Sequence, residues 1–322
     1  MNSTRRSRSD QTSFRDSYQE VTDRIIAALE NGVVPWRRPW DPALSGRNTM
    51  PSNATTRRFY RGINILMLAL SPFAWSTGDN RWCSYKQAAE RGWQVRKGER
   101  GTTVFFSKTL ERKDSDGATE LDGGGNQHLV RILRAFTVFH ASQMDGIPAV
   151  PVSEPHEVEW HRPEAVETIL CNSRAVIRIG GSQAFYNPSS DHIQLPPHEA
   201  FHSPEAWSAT ALHELSHWTG DSSRLDRDLS GKFGTAHYAE EELRADLASC
   251  FMGNTLGLPC DIPNHASYLQ GWLSKLRDDK REIFRAAAAA QRIADFCLAF
   301  HPDYAPVSED VLKADSDDKI AA

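Results

Sequence analysis

The chain has 322 residues, 39% of them hydrophobic, enough for two domains with cores of their own, and it holds no apolar run of membrane-spanning length. Its net charge of −5 hides an asymmetry: residues 1–110 carry 18 Lys and Arg against 9 Asp and Glu, and the remainder 19 against 33. A basic first third joined to an acidic remainder points to a polyanion partner for the first part, and the lack of a membrane-spanning run to no membrane partner.

In chain order, residues 1–13 are polar without the apolar stretch of a signal peptide and read as a flexible tail. A first helix is predicted from Ser17 to Gly32, with Ser17 and Glu20 as a capping box and Val21, Ile25 and Leu29 at helical spacing. Val34-Pro-Trp36-Arg37-Arg38-Pro-Trp40 is irregular and limited by proline. Asn53 to Asn64 mixes Arg57, Arg58 and Arg61 with Tyr60 ahead of the apolar run Ile65 to Leu70. Ser84 is placed to cap a short helix through Arg91, and Gly92 to Lys108 alternates like a hairpin around Lys97-Gly-Glu-Arg-Gly101. A low-complexity loop follows at 111–127, then a strand from Leu129 to His140 and a Pro- and Val-rich linker at 146–155.

Beyond the linker, Pro163 to Asn172 reads as a helix, Ala175 to Ile179 as a strand, and Ala184 to Leu195 as a second strand turning at Asn187-Pro-Ser-Ser. Asp191 to Leu195 is the candidate edge strand for holding an extended peptide by β-addition. The stretch 265–299 is helical packing and 301–322 an acidic tail. The expected domains are thus 14–145 and 156–300. Five cysteines (83, 171, 250, 260 and 297), odd in number and without a Cys-x-x-Cys pair, predict a reducing, cytoplasmic compartment and no disulfide.

Arginines beside aromatic rings suit single-stranded nucleic acid, because cations meet phosphates and rings stack on unpaired bases. Trp75 and Trp93 flank apolar segments and are assigned to the core. The candidate DNA contacts are Trp36, Arg37, Arg38, Trp40, Arg57, Arg58, Tyr60, Arg61, Asn64, Trp82, Lys86, Arg96 and Lys97.

The sharpest chemistry lies in Ser203 to Gly220, which contains His213-Glu214-Leu-Ser-His217. Residues four apart on a helix lie one above the other, so His213 and His217 can grip one ion, and Glu214 falls beside it as general base for a bound water. Ser203 as N-cap, Pro204 at the first helical position and Gly220 at the stop support the helix. Two histidines leave a zinc site incomplete. Glu242 is the expected third ligand, with Glu241 and Asp246 next in line. Asp246, one turn further on, is placed to accept the second ring N–H of a ligand histidine, while Glu240 and Glu241 read as a solvated first turn. This Glu-x-x-x-Asp arrangement resembles the gluzincin peptidases. One zinc per chain is expected, another divalent ion being an alternative, with Tyr238, His237 and Tyr186 as candidate donors to an oxyanion.

From Tyr18 to Ala294 the chain resembles the ArdC-type antirestriction proteins of mobile elements. The resemblance rests on Leu29 to Trp40, Asn53-Ala-Thr-Thr56, Tyr60-Arg-Gly-Ile-Asn64 and Gln94 to Gly98 in the first half. In the second half it rests on Tyr186 to Pro196, His213 to Gly220 and Glu241 to Asp246, the last being Glu in many members. It implies an α+β fold in which a small single-stranded-DNA-binding module precedes a zincin-like metallopeptidase domain. It also implies protection of incoming DNA from restriction, with a host restriction-system protein as a possible substrate. The rival expectation is a non-catalytic DNA-binding protector or a replication accessory protein in which zinc is structural.

Overall fold

The computed structural model describes residues 16–37, 50–74, 79–111, 129–150, 161–232, 234–258, 260 and 266–305, with backbone alone at 107–111, 129–132, 161–163 and 266–267. Arg38, Trp40 and Trp75, the tail 1–13 and nearly all of the 111–127 loop lie outside the described residues.

Helix α1 (Ser17–Glu30) is capped by Asp16, whose carboxylate accepts the Tyr18 and Gln19 N–H groups at 3.1 and 3.2 Å, so the expected cap moves from Ser17 to its neighbour. An aspartate satisfies the orphan donors of the first turn as well as a serine does and adds a favourable charge at the positive end of the helix dipole. Next come β1 (Ser52–Asn53), α2 (Ile63–Ala69), β2 (Arg81–Cys83), α3 (Tyr85–Glu90), β3 (Gln94–Val95), β4 (Thr102–Glu111), β5 (Leu129–His140) and β6 (Met144–Asp145). A mixed sheet runs in the order β1-β2-β5-β4, while β3 and β6 pair separately. The hairpin expected around 97–101 is therefore absent: β3 pairs with β6 and β4 with β5, so the turn carries the chain from one sheet to the other. Gly101 is where that crossing is tightest, since a Cβ there would meet the Thr137 side chain at 2.3 Å. Ser84 caps α3 in a reciprocal box with Gln87, as expected of a serine in that position.

The second half contains α4 (His161–Ser173), β7 (Val176–Ile179), β8 (Phe185–Asn187), β9 (His192–Leu195), α5 (Pro204–Trp218), α6 (Ala236–Leu256), α7 (Ala266–Asp278) and α8 (Glu282–Leu298). The single helical stretch expected at 265–299 is two helices. The sheet order is β7-β9-β8, with β9 parallel to β7 and antiparallel to β8. This corrects the edge-strand assignment for Asp191 to Leu195: β9 is the central strand, with His192 to Gln194 paired on both sides, and β7 and β8 are the edges. Sheet order is a tertiary property that a strand's own residues do not encode.

Helix α5 begins as its sequence requires, with the Ser203 hydroxyl accepting the Ala206 N–H at 3.2 Å and Pro204 in the first turn. It is buried on nearly every side, and α6 packs across it and ends in left-handed Gly257. One apolar core joins Leu212 and Leu215 of α5, Leu247 and Phe251 of α6 and Ile283 of α8 to Val21, Ile25 and Leu29 of α1. Helix α1 is tied to the second half by Tyr18 against Phe284 and by the Thr22 hydroxyl, which donates to the Lys280 carbonyl at 2.8 Å.

Cys250 and Cys260 form a disulfide, contrary to the expectation of free thiols. The turn after Gly257 brings their Cα atoms to 5.2 Å, within disulfide range. Among the described residues no helix is long and apolar enough to cross a membrane.

Candidate metal centre

Helix α5 supplies two imidazoles and α6 one carboxylate to a single point. The Nε2 atoms of His213 and His217 lie 3.2 Å apart, with their rings nearly perpendicular. Glu242 Oε2 is 3.4 Å from His213 Nε2, and its Oε1 is 3.5 Å from His217 Nε2. The donor atoms of these three residues all fall within 4.8 Å of one another. His217 Nδ1 faces Glu241 Oε1 at 3.2 Å, so in the neutral ring Nδ1 carries the hydrogen and Nε2 the lone pair. Two ring nitrogens and a carboxylate that converge without a proton for each contact fit a divalent cation, and the donor set is the one zinc favours.

The electrostatics point the same way. Burial raises the Glu242 pKa, but the two histidines overrule it and hold the carboxyl down at about 2. Burial opposes charge on His217, yet Glu242, Glu241 and Glu214 outweigh it and push the imidazole up to about 9. Three carboxylates around two imidazoles leave the centre electron-rich, a setting that a dication relieves.

Glu214 is buried beside this point, and that burial raises its pKa. The two histidines, and to the smallest extent the Tyr186 backbone of β8, oppose that rise. The centre opens into a cavity of about 790 Å³, walled by the chain from Ser182 to Tyr186 on one side and by Leu229, His237 and Tyr238 on the other. Of the three candidate oxyanion donors, Tyr186 turns its hydroxyl to Asp191 at 2.8 Å and is committed there with Arg224. His237 lies 3.2 Å from Asp228. Tyr238 reaches Glu242 and sits 3.5 Å from the Tyr268 hydroxyl; burial first, and then Glu242, raise its pKa, so the phenol stays a proton donor.

Two carboxylates exchange the parts expected of them. Asp246 touches neither histidine: its Oδ2 accepts the Trp36 indole N–H and its Oδ1 the Arg37 guanidinium, both at 2.5 Å. Glu241, assigned to a solvated turn, is 6% exposed and is the carboxylate that meets His217. Its acidic neighbours hid it, and only the crossing of α5 and α6 distinguishes it from Glu240, which pairs with Lys275 and Arg244.

The same contacts overturn part of the DNA-contact set. Trp36 is 1% exposed and Arg37 13%, and Arg37 lines the metal cavity. Tyr60 and Trp82 are buried, so neither ring has a free face for a base. Asn64 is buried too, and its amide brackets Phe105 by donating to its carbonyl at 2.8 Å and accepting its N–H at 2.7 Å. Arg61 pairs with Asp295, Lys86 with Glu90, and Arg96 with Glu99 and Asp145. Arg57, Arg58 and Lys97 are exposed. The Asn53-Ala-Thr-Thr56 piece is a turn, in which the Asn53 side chain accepts the N–H groups of Thr55 and Thr56. Among the described residues, the exposed rings in the first half are others: Phe59, Tyr85, Phe106 and Phe136, all at least 47% accessible.

The family described as the N-terminal domain of anti-restriction factor ArdC matches residues 15–139, and a zincin-like metallopeptidase family matches residues 164–289. The metal-free crystal structure of the antirestriction ArdC protein from plasmid R388 is 38% identical in sequence, with a TM-score of 0.73, covering 90% of this chain and 99% of that one. The chain belongs to the ArdC antirestriction family. The Mn(II)-bound structure of the R388 protein matches over the same shares at 37% identity and a TM-score of 0.70. Protein y4eC of Sinorhizobium fredii (strain NBRC 101917 / NGR234) is 41% identical over 290 residues, 89% of this chain and 93% of its own length. Two DNA primases TraC of Escherichia coli are 44% and 43% identical over 88% of this chain, which spans only 27% and 20% of their lengths.

Proposed function

We propose that this protein protects incoming DNA from restriction by binding single strands through its N-terminal half and cleaving a polypeptide at a zinc centre held by His213, His217 and Glu242. The convergence of those three donors beside buried Glu214, at the floor of an open cavity, carries the reading. The Mn(II)-bound relative supports a divalent ion in this family. Protection of DNA on entry would place the protein in the cytoplasm, with a restriction-system protein as the substrate.

When bound, a divalent ion at this centre supplies a Lewis acid that polarises a carbonyl and acidifies a water. The chain's own groups do the rest. Glu214, with its pKa raised by burial, takes the proton of the attacking water and passes it to the leaving amide nitrogen. Tyr238 donates to the oxyanion that forms as the carbonyl is attacked, since its phenol stays protonated and faces the cavity. The outer edge of β8 lies on the cavity wall and offers backbone groups to an extended substrate.

For DNA, the stacking role passes from the buried rings to Phe106 and Phe136. These lie edge to face at 5.4 Å on one face of the β4–β5 ribbon, where Arg134 pairs with Phe106 across the ladder. Arg57, Arg58 and Lys97 meet phosphates. In the full chain, Phe106→Ala with Phe136→Ala should weaken single-strand binding about tenfold or more, since one stacked base is worth about 1–3 kcal/mol. Arg57→Ala with Arg58→Ala should instead flatten the dependence on salt, by about 0.7 in log–log slope for each phosphate that is no longer neutralised. Duplex DNA should bind more weakly than single strands throughout. Anisotropy titrations across a salt series decide it, and unchanged affinity in the double phenylalanine variant would move the stacking site elsewhere.

A further inference from the structure

The Asp246 carboxylate that the Glu-x-x-x-Asp pattern reserves for a ligand histidine is occupied elsewhere, yet His217 has a carboxylate partner. We infer that Glu241, held by Arg227, is the positioning residue that sets the tautomer and orientation of His217 for the metal. The inference rests on the metal-site reading above.

Three observations carry it. Glu241 Oε1 stands 3.2 Å from His217 Nδ1, on the ring edge opposite the nitrogen that points at Glu242. Glu241 is in turn gripped by both sides of the Arg227 guanidinium, with Nη2 donating to Oε1 at 2.7 Å and Nε to Oε2 at 3.1 Å. Arg227 is itself fixed: Nη2 also donates to the Ser216 carbonyl and Nη1 to the Thr219 hydroxyl, each at 2.7 Å, and its own N–H donates to the Gly220 carbonyl at 2.8 Å. The chain of contacts therefore runs from the end of α5, through the loop beyond it, to α6 and back to a histidine of α5. A two-point guanidinium–carboxylate contact has little rotational freedom, so the oxygen facing His217 is held in place before any ion arrives. Such partners strengthen ligand basicity, and their loss costs about 10–100-fold in metal affinity.

The arrangement is one-sided. His213 Nδ1 is buried and has no hydrogen-bond partner among the described residues, so the two ligand histidines differ in how tightly they are oriented. His217 is the anchored ligand, and the wall loop that carries Arg227 also carries Asp228, Leu229 and Gly231 of the cavity. Loop position and ligand geometry are joined through one guanidinium.

The test compares two carboxylates on one helix in the full-length chain. Affinity for Zn(II) is measured by competition with a chromogenic chelator, the visible absorption of the Co(II)-substituted protein is recorded, and the metal-free variants are melted. Glu241→Ala should weaken Zn(II) about 10–100-fold and shift the Co(II) bands. Glu241→Gln keeps one acceptor for His217 but turns an N–H₂ towards Arg227, and should fall between Ala and wild type. Asp246→Asn should bind Zn(II) within about threefold of wild type with unshifted Co(II) bands, because its carboxylate meets Trp36 and Arg37 instead of a ligand. Wild-type affinity and bands in Glu241→Ala would overturn the inference. So would equal losses in Glu241→Ala and Asp246→Asn that track the melting of the metal-free chains, since the effect would then be one of fold. A wild-type chain that binds no metal would defeat the metal-site reading itself, an outcome distinct from either of these.

Discussion

Glu214→Ala is expected to retain the metal and to lose peptide hydrolysis by a factor of about 10²–10⁴, the range that a positioned general base contributes. Glu242→Ala is expected to lose the metal itself. The contrast follows from geometry: Glu242 faces both Nε2 atoms, whereas Glu214 is not among the converging donors and is buried beside them. Metal content by elemental analysis and cleavage of purified restriction subunits, run side by side on both variants, separate the two roles. Single-strand DNA affinity should be the same in wild type and Glu214→Ala, since Glu214 is buried at the cavity floor and offers nothing to a phosphate. Transfer of unmodified DNA into a restricting host then decides the biology. If Glu214→Ala binds DNA normally but no longer protects, peptidase chemistry is part of the function. If it protects as well as wild type, the ion is a structural cross-link between α5 and α6 and the catalytic proposal fails.

How much of this is legible in the sequence depends on the distance over which each contact is set. Helix α5 is readable because its cap, its proline and its two histidines all lie within one helix, where a spacing of four fixes the face. The convergence of Glu242 on the histidines depends on one further assumption, that the next helix crosses the first. The choice between Glu241 and Asp246 as the carboxylate behind a histidine is not readable. Both are acids on α6, and the selection is made by Arg227 from the intervening loop and by Trp36 and Arg37 from more than 200 residues away. The same remoteness makes the tryptophans misleading. A Trp beside arginines in a proline-limited segment has the composition of a DNA contact, and nothing local shows that a buried carboxylate will claim its N–H. Phe106 and Phe136, by contrast, sit in ordinary alternating strands that carry no signal of their own; their exposure is set by what packs against that face of the ribbon, which the strands' own residues do not encode.

Trp36→Ala should therefore cost stability before it costs DNA binding, and the expected size is about 3–5 kcal/mol, the usual range for truncating a buried aromatic. The indole fills a site against Trp272 of α7, and its N–H is one of two donors to a carboxylate that is 2% exposed. Arg37→Ala should cost a comparable amount by another route. It leaves the buried Asp246 carboxylate with the indole N–H and no counter-charge, and breaking a buried pair from one side costs about 3–5 kcal/mol. The two losses should not add, because both act on one carboxylate. Asp246→Asn should soften the Arg37→Ala penalty, since an amide has no charge to compensate. Chemical denaturation of the single and double variants gives these differences. Trp36→Phe, which keeps a ring in the core but lacks the donor, is the variant for DNA: it should fold and bind single strands within about threefold of wild type, because a stacking residue at 1% exposure has no face to offer a base. A Trp36→Phe chain that melts like wild type but loses single-strand affinity would return Trp36 to the DNA surface, and would require the segment from Val34 to Arg37 to leave α6 when DNA binds.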